Sequence, residues 1–278
     1  MNKLPLSKRV QILGMLVEGN SLRATSRLVQ CSINTVTKLL VDLGCATSEY
    51  QYNTLRNLPC KKIQVDEIWS FCYSKQKNVP DDKEGQFGYG DIWTWTAICA
   101  ETKLVPTWLV GTRDSRSAQE FVMDLAARVK DRVQITNDGY KPYIEAIEKA
   151  FGPNADYAML KKIYGTPQEG QKRYSPVDCI GYVKKRMNGK PDMDHVSTSF
   201  AERQNLNMRM SMRRFTRLTN GFSKKIENHG HAISIHFMYY NFARVHKTIK
   251  TTPAIKAGIA DHIWTLEEIV ALLDNYSN

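Results

Sequence analysis

Apolar residues recur at helical spacing along the first part of the chain. The pattern predicts helices over residues 8–18 and 22–29 and a third helix through Leu43, with a Gly-Asn-Ser break and Ser/Asn caps between them. This spacing is typical of a helix-turn-helix, whose last helix presents its N-terminal side chains to the DNA major groove. We therefore predict a small all-α helix-turn-helix domain over 1–45, although a purely structural three-helix bundle would show the same pattern. The candidate DNA-reading residues are Ser32, Asn34, Thr35 and Lys38.

Short apolar strands then alternate with helices through the larger middle part of the chain. The polar residues 46–62 before them, which include Pro59, are predicted to be a linker. The predicted strands are 62–66, 92–100, 104–111, 132–136 and 156–164, and the predicted helices are 115–129, 140–151, 197–225 and 230–244. The predicted order is three strands, a helix, a strand, a helix and a strand. This is the order of the ribonuclease H-like fold, a mixed sheet with flanking helices. We predict an α/β domain of this type over 63–250 and a C-terminal helical tail over 251–278.

Composition is that of a chain with a substantial core: 42% of the 278 residues are hydrophobic and 10% are aromatic. No stretch approaches the roughly 18 apolar residues of a membrane span, and the first residues lack the apolar region of a signal peptide. We therefore expect a cytoplasmic, nucleoid-associated protein. The six cysteines show no CxxC pair, which indicates reduced thiols rather than a disulfide framework or a zinc site.

The net charge of +11 is concentrated in one part of the chain. Residues 172–250 contain 16 basic and 5 acidic residues, whereas residues 61–171 contain 15 and 16. A basic block suits a polyanion such as DNA, because each phosphate contact releases condensed counterions. A solvated basic face without a partner would give the same count.

Two carboxylates occupy chemically informative positions. Asp66 is predicted to end the first strand and Asp138 to follow the fourth, and these strands are neighbours at the centre of the predicted sheet. A single acid at a strand end is usually a turn former, but a converging pair suits Mg²⁺ or Mn²⁺, which take carboxylates, waters and substrate phosphates. Asp91 and Glu67 are alternative ligands. Glu67 would point to the opposite face from Asp66 if the strand continued.

A third carboxylate ligand is expected from the later basic helix over 197–225. Glu202 lies near its start, where it would face the metal ions. The residues expected to share its face are Asn205, Arg209 and Arg213, at offsets of three, seven and eleven. The residues expected to bind the DNA backbone are Asn205, Arg209, Arg213 and Arg214. Further candidates for phosphate contact, in a predicted loop before the helix, are Lys184, Lys185 and Arg186.

Four motifs carry a family resemblance. They are QVDEIWSF at 64–71, TNDGYKPY at 136–143, SFAERQNLNMRMSMRRFTRLTNGFSKKIENH at 199–229 and YYNFARVHKTIKTTPA at 239–254. Together they resemble insertion sequence 1 family transposases over nearly the whole chain. The resemblance implies a DDE recombinase whose acidic triad maps onto Asp66, Asp138 and Glu202. In one departure from some relatives, no cysteine-pair zinc ribbon precedes the predicted helix-turn-helix.

The predicted function is that of a DNA transposase that binds the terminal inverted repeats of its element and performs metal-dependent strand cleavage and strand transfer. Two Mg²⁺ or Mn²⁺ ions are the expected cofactors, and double-stranded DNA at the element ends and target is the expected partner, bound by a homo-oligomer. A ribonuclease H-like structure-specific nuclease would use the same acids. A catalytically inactive helix-turn-helix regulator would share only the DNA-binding features. His246 is a further candidate for phosphate contact, whereas His229, His231 and His236 are expected to be structural or exposed to solvent.

Overall fold

One six-stranded mixed sheet and nine flanking helices make up the parts of the chain that the computed structural model describes, residues 4–165, 177–216 and 220–276. The strands are β1 (Lys62–Cys72), β2 (Gly90–Cys99), β3 (Trp108–Gly111), β4 (Val133–Asn137), β5 (Ala155–Tyr164) and β6 (Cys179–Asn188). The helices are α1 (Leu6–Val17), α2 (Leu22–Val29), α3 (Ile33–Thr54), α4 (Ser115–Ala126), α5 (Pro142–Phe151), α6 (Ser199–Ser211), α7 (Ile226–Met238), α8 (Pro253–Lys256) and α9 (Leu266–Tyr276). The predicted α/β class is confirmed. No helix in these described ranges is both long and apolar enough to cross a membrane.

The strand order in the sheet is β3-β2-β1-β4-β5-β6. β1 pairs antiparallel with β2 along nearly its whole length, but its parallel pairing with β4 covers only the start, where Gln64 lies opposite Thr136. β4 runs parallel to β5, and β6 returns antiparallel to β5. The prediction that β1 ends at Asp66 is therefore wrong: Asp66 lies inside the strand, because the pairing with β2 continues to Cys72.

Each face of the sheet is covered by its own hydrophobic cluster. Alternate residues of a strand point to opposite faces. Ile63 and Val65 accordingly pack into the larger cluster with residues of α4 and α5, such as Phe121, whereas Ile68 packs into a second cluster with residues of α6 and α7, such as Met208. Helices α4 and α5 therefore cover one face of the sheet, and α6 and part of α7 cover the face that carries Asp66.

The three N-terminal helices form at the predicted positions, but the linker prediction is wrong over its first half. Ser21 and Ser32 accept hydrogen bonds from backbone amides of the first turns of α2 and α3, as expected of N-terminal caps. α3 then continues to Thr54, because the polar residues that suggested a linker face α7. The Oγ1 atom of Thr47 lies 2.8 Å from the Oγ atom of Ser234, and Gln51 donates to the carbonyl oxygen of Ser234.

Helices α3 and α7 approach each other closely at a glycine. A Cβ atom added at Gly44 would lie 2.3 Å from the Cβ atom of His231, so this contact requires a residue without a side chain. Residues of α1, α3 and α9 belong to the same hydrophobic cluster as one face of the sheet. The predicted boundary between an N-terminal domain and a catalytic domain therefore has no counterpart in the packing of the core.

Three further predictions about the C-terminal half need correction. The basic helix predicted over 197–225 ends at Ser211, because Met212 is extended and a short 3₁₀ turn, Arg213–Phe215, follows, with the buried Phe215 in the core. The predicted loop that contains Lys184 is the edge strand β6. The late helix begins earlier than predicted, at Ile226, and continues into a π-helical turn, Tyr239–Ala243. The predicted helical tail corresponds to α8 and α9.

Candidate active site

The geometry of β1 and β4 brings Asp66 and Asp138 to the same level of the sheet. Gln64 lies opposite Thr136 in the parallel pairing, and each acid follows two residues later in its own chain segment. β4 ends at Asn137, so Asp138 lies in the turn that leads to α5, and its Oδ1 atom accepts a hydrogen bond from the backbone amide of Tyr140 at 3.3 Å. The next residue of this turn, Gly139, has a φ of +104°, a conformation that favours glycine.

Asp66 is held by contacts to both of its carboxylate oxygens. The backbone amide of Glu67 donates to Oδ1, and the side-chain amide of Asn205 donates to Oδ2, each at 2.8 Å. Asn205 belongs to α6 and is buried, with no described partner for its own Oδ1 atom. Asn205 was expected to bind the DNA backbone, but it is buried and its amide instead holds the Asp66 carboxylate.

A second amide fixes the start of α6 on the sheet. The Oε1 atom of Gln64 accepts hydrogen bonds from the backbone amides of Phe200 and Ala201, at 2.7 and 3.1 Å. These are amides of the first helical turn, which have no acceptor within the helix. Gln64 lies two residues before Asp66 and on the same face of β1, so the strand that carries the acid also positions α6. Sequence reasoning missed Gln64, because it resembles any polar residue in a strand.

Glu202 lies one helical turn before Asn205 on α6 and is bound by two neighbours. Its Oε2 atom accepts from Nζ of Lys162 on β5, and its Oε1 atom accepts from Oγ1 of Thr198, both at 2.6 Å. The carboxylate is partly exposed, with 41% of its side-chain surface accessible. Glu202 is thus on the face that carries Asp66, but a lysine neutralises it.

The electrostatics of Asp66 connect the three predicted ligands. Its pKa is raised to about 7, first by burial and then by the charges of Asp138 and Glu202, while the hydrogen bond from the Glu67 amide opposes the increase. Three carboxylates that repel one another match the donor chemistry of a hard divalent cation. They are not gathered into one ligand set, however: in the described ranges no three His, Cys, Asp or Glu side chains are grouped closely enough to hold a metal ion.

The two alternative ligands lie elsewhere. Glu67 points to the opposite face from Asp66, as predicted, where its buried carboxylate lies 3.5 Å from the guanidinium of Arg113. Burial raises the pKa of Glu67 to about 8, with added repulsion from Asp66 and Asp138. Asp91 is exposed near the start of β2, opposite Phe71 and five residues from the residue that pairs with Asp66. Neither side chain shares the face formed by the three predicted ligands.

The predicted DNA-reading residues occupy the accessible start of α3. Ser32 and Asn34 are exposed, and Ser32 also caps the helix through the backbone amide of Thr35. Thr35 is partly exposed, and Lys38 is exposed and paired with Asp42 one turn later at 2.5 Å. All four predicted residues therefore lie within the first two turns of one helix.

The arginines predicted to bind phosphate have different environments. Arg209 lies near the end of α6 and is partly buried. Arg213 is exposed, but it follows the end of the helix and so does not share the helical face of Glu202 as predicted. Arg214 donates through Nη1 to Oγ of Ser223 at 2.7 Å, and burial lowers its pKa to about 10. A structural role for Arg214 thus replaces the predicted phosphate contact.

That bond belongs to a chain of buried hydrogen bonds through His229. Ser223 lies 2.9 Å from Nδ1 of His229, and Nε2 lies 3.2 Å from the Oγ atom of Ser70, which itself donates to the carbonyl oxygen of Ile92. Since the Ser70 hydroxyl proton is used by Ile92, His229 is neutral with its proton on Nε2. His246 also has a structural contact, from Nε2 to the carbonyl oxygen of Tyr240. The predicted structural role of His229 fits this arrangement.

A basic cleft of about 680 Å³ lies between the α1–α2 turn and the segment that follows α6. Its basic lining residues are Arg23, Arg213, Arg214, Lys224 and Lys225. No acidic residue is among the described residues of the lining.

A scan against protein-family models gives no match for this chain, and a search of curated proteins finds no similar one.

Proposed function

We propose that this chain is a DDE-type DNA transposase of the insertion sequence 1 family, with a ribonuclease H-like catalytic domain and an N-terminal helix-turn-helix. The sheet order β3-β2-β1-β4-β5, with β1 parallel to β4, supports the proposed fold. Three N-terminal helices, of which α2 and α3 are capped by serine side chains and the last has an accessible start, support the proposed DNA-binding part.

The observation that carries the proposal is that three carboxylates from three separate elements interact electrostatically on one face of the sheet. Asp66 from β1 is raised in pKa by the charges of Asp138 from the β4–α5 turn and Glu202 from α6. A structural protein has little use for three acids that repel one another beside a buried amide network, since removing them would relieve the repulsion. A site that binds divalent cations requires such a set.

Asp66, Asp138 and Glu202 would hold two Mg²⁺ or Mn²⁺ ions in this proposal. When bound, such ions activate the attacking oxygen and neutralise charge on the leaving oxygen of the phosphodiester. Asn205 orients the Asp66 carboxylate, and Gln64 holds α6 against β1, so both amides fix the spacing of the ligands. Ligation by Glu202 requires that its ion pair with Lys162 be exchanged for the cation.

The DNA substrate is proposed from the distribution of charge. Residues 172–250 carry 16 basic and 5 acidic residues, and the basic cleft lies between this part of the chain and the N-terminal helices. We propose that Asn34, Lys38 and their neighbours on α3 read the inverted repeats, that exposed basic residues such as Arg213 bind phosphates, and that copies of the chain assemble on DNA at the nucleoid.

The decisive experiment compares the parent protein with Glu202→Gln and with Asp194→Asn as a matched control. The substrate is a duplex that carries the inverted repeats bracketing the gene, in Mg²⁺. Cleavage followed by strand joining is expected from the parent. Glu202→Gln keeps the size of the side chain and removes its charge, so it should fold and bind DNA but react at least about a thousandfold more slowly. Asp194 is exposed outside the site, and its amide variant should react normally.

Other results would replace the proposal. Cleavage without joining would indicate the structure-specific nuclease, and binding of the repeats without cleavage by the parent would indicate the regulator. Activity of Glu202→Gln within about tenfold of the parent, with loss in Asp194→Asn, would show that the third ligand is misassigned.

A further inference from the structure

The two strands next to the candidate site continue into an exposed arm that the proposed chemistry does not use. This β5–β6 arm comprises residues 161–164 of β5 and 179–186 of β6, which pair antiparallel. Two tyrosines are among its most exposed side chains: Tyr182 is 63% exposed and Tyr164 is 57% exposed. Two exposed aromatic rings on one arm offer apolar faces whose burial against a ligand would be favourable.

The register of the arm puts both tyrosines on the face of the site. Tyr182 lies directly opposite Lys162, so their side chains project to the same face. Tyr164 is two residues beyond Lys162 on β5 and is close enough for its hydroxyl to influence the pKa of that lysine. Lys162 itself binds Glu202. The two rings thus lie on one continuous surface with the predicted catalytic glutamate.

Positive charge surrounds the rings. The arm contains five basic residues and no acidic residue within its two segments. Of these, Lys162, Lys184 and Arg186 share the face of the tyrosines, whereas Lys161 and Lys185 project to the other face of the arm. Of these basic residues, Lys162 is the one with a carboxylate partner among the ion pairs of the described residues. The Nζ atom of Lys184 lies 5.9 Å from the ring centre of Tyr182. The surface therefore combines aromatic faces with a cationic rim.

We infer that the β5–β6 arm binds an unpaired DNA strand next to the candidate active site, with bases stacked on Tyr182 and Tyr164 and phosphates bound by the flanking lysines. The inference rests on the proposed function for its location and deepens it by naming the form of the substrate. Exposed rings in a basic groove are the combination that recognises single strands, since every base has a face on which a ring can stack.

Two other occupants fit less well. A regular duplex hides the faces of its bases in its own stack, so it could use the lysines but not the tyrosines. A second copy of the chain in a twofold contact would bring one basic arm against another, and like charges in contact oppose association. An unpaired strand uses both the rings and the charges.

The test measures binding by the full-length protein without divalent metal ions, so that it does not depend on catalysis. The probes are a labelled 20-residue oligodeoxythymidine, the same strand with one central 2-aminopurine, and a duplex of equal length. Tyr182→Ala should weaken binding of the single strand on the order of tenfold and leave duplex affinity within about twofold, because stacking on one ring is lost while the lysines remain. Fluorescence quenching of the 2-aminopurine by the protein should also fall, since stacking on Tyr164 alone remains.

Two variants control for folding and for general exposure of aromatic rings. Tyr182→Phe keeps the ring and should behave like the parent, which separates stacking from any structural role of the hydroxyl group. Phe87→Ala removes an equally accessible ring, 55% exposed, from the β1–β2 connection and should have no effect. The inference would be overturned if Tyr182→Ala lost single-strand and duplex affinity equally, or if it quenched 2-aminopurine fluorescence as strongly as the parent does.

The two proposals fail in different ways. A protein that cuts and joins element ends but shows no quenching that depends on Tyr182 would refute the single-strand site and leave the transposase proposal intact. A protein that stacks bases on Tyr182 but never cuts DNA would refute the proposed catalysis alone.

Discussion

Amide and imidazole side chains hold β1 to the helices that cover the face of the site. Gln64 binds the start of α6, and Asn205 of α6 binds Asp66 in return. His229 of α7 joins Ser70 of β1 to Ser223. These hydrogen bonds join β1 to α6 and α7. Because neutral groups lose less hydration free energy on burial than charges do, they can fix geometry there at a lower cost.

The neutral state of His229 predicts a specific dependence of stability on pH. Burial and, to a smaller extent, the nearby Arg214 lower its pKa in the folded protein to about 3, whereas the unfolded chain titrates near the usual value of 6.5. Below about pH 6.5 the unfolded state therefore binds more protons, and stability falls as the pH falls. Between pH 7.5 and 5.0 the contribution of this one histidine is a loss of about 2 kcal/mol.

His229→Asn should flatten the curve of unfolding free energy against pH by that amount, as measured by urea denaturation. His262→Asn is the control of opposite sign. Hydrogen bonds to Asp261 and Glu268 raise the pKa of His262, so its stabilising effect is present at low pH and lost as the pH rises. Curves for the parent and His229→Asn that run parallel would mean that His229 is solvated or charged in the folded protein.

At the scale of elements, helices and strands with a clear period of apolar residues lie where the sequence predicts them, whereas those with a weak period do not. The order of strands and helices from β1 to β5, and the three N-terminal helices, follow from apolar residues at clear spacing. β6 was predicted to be a loop because both of its faces are largely exposed, so it has no alternation of apolar and polar residues. The second half of α3 was predicted to be a linker because it buries Thr47 and Gln51 through hydrogen bonds rather than apolar contacts.

The candidate site was partly predictable for the same reason. The positions of Asp66 and Asp138 follow from the ends and register of strands, which the pattern indicates to within a few residues. The lysine that neutralises Glu202 lies on β5, and its contact depends on how α6 sits on the sheet. Side-chain pairing between elements that are distant in the sequence leaves no periodic signal. The sequence therefore predicts that Asn205 shares a face with Glu202, but not its bond to Asp66, the bonds of Gln64 to α6 or the pairing of Lys162 with Glu202.

The accessible start of α3 predicts where sequence preference is located. Deleting residues 1–45 would not test this, because α1 and α3 share a core with the rest of the protein. Asn34→Ala is the sharper change, since an amide is suited to bidentate contact with adenine in the major groove. We expect the preference for inverted repeats over a scrambled duplex, measured by competition binding, to fall about tenfold while binding to scrambled DNA is unchanged.

Asn53→Ala is the matched control for this experiment, because Asn53 is exposed near the other end of the same helix. It should leave both affinities unchanged. A preference that survives Asn34→Ala, or that falls equally in Asn53→Ala, would assign end recognition to another element.

On the scale of the whole molecule, the first and last helices complete one core. Ile12 and Leu13 of α1 belong to the same hydrophobic cluster as Ile269 and Val270 of α9, and Arg9 lies 3.8 Å from Asp274. The basic cleft and the start of α3 therefore rest on a support that includes the end of the chain.

Ile269→Ala should weaken this support measurably. The side chain is fully buried, so its truncation should lower the free energy of unfolding by about 2–5 kcal/mol. Hydrogen exchange should accelerate in α1 and α3 as well as in α9, because the three helices pack together. Ile263→Ala, at a side chain that is 46% exposed, should have little effect. Acceleration confined to α9 would mean that α1 and α3 are stable without it.

The joining of the first helices to the last one also governs how the protein emerges from the ribosome. α1 and α3 are synthesised first, but their apolar faces cannot be fully covered until α9 has left the exit tunnel. At ~5–20 residues per second, that delay is on the order of tens of seconds. During this interval the nascent chain exposes apolar surface that is prone to aggregation. A product that lacks α9 would present α3 without its finished support.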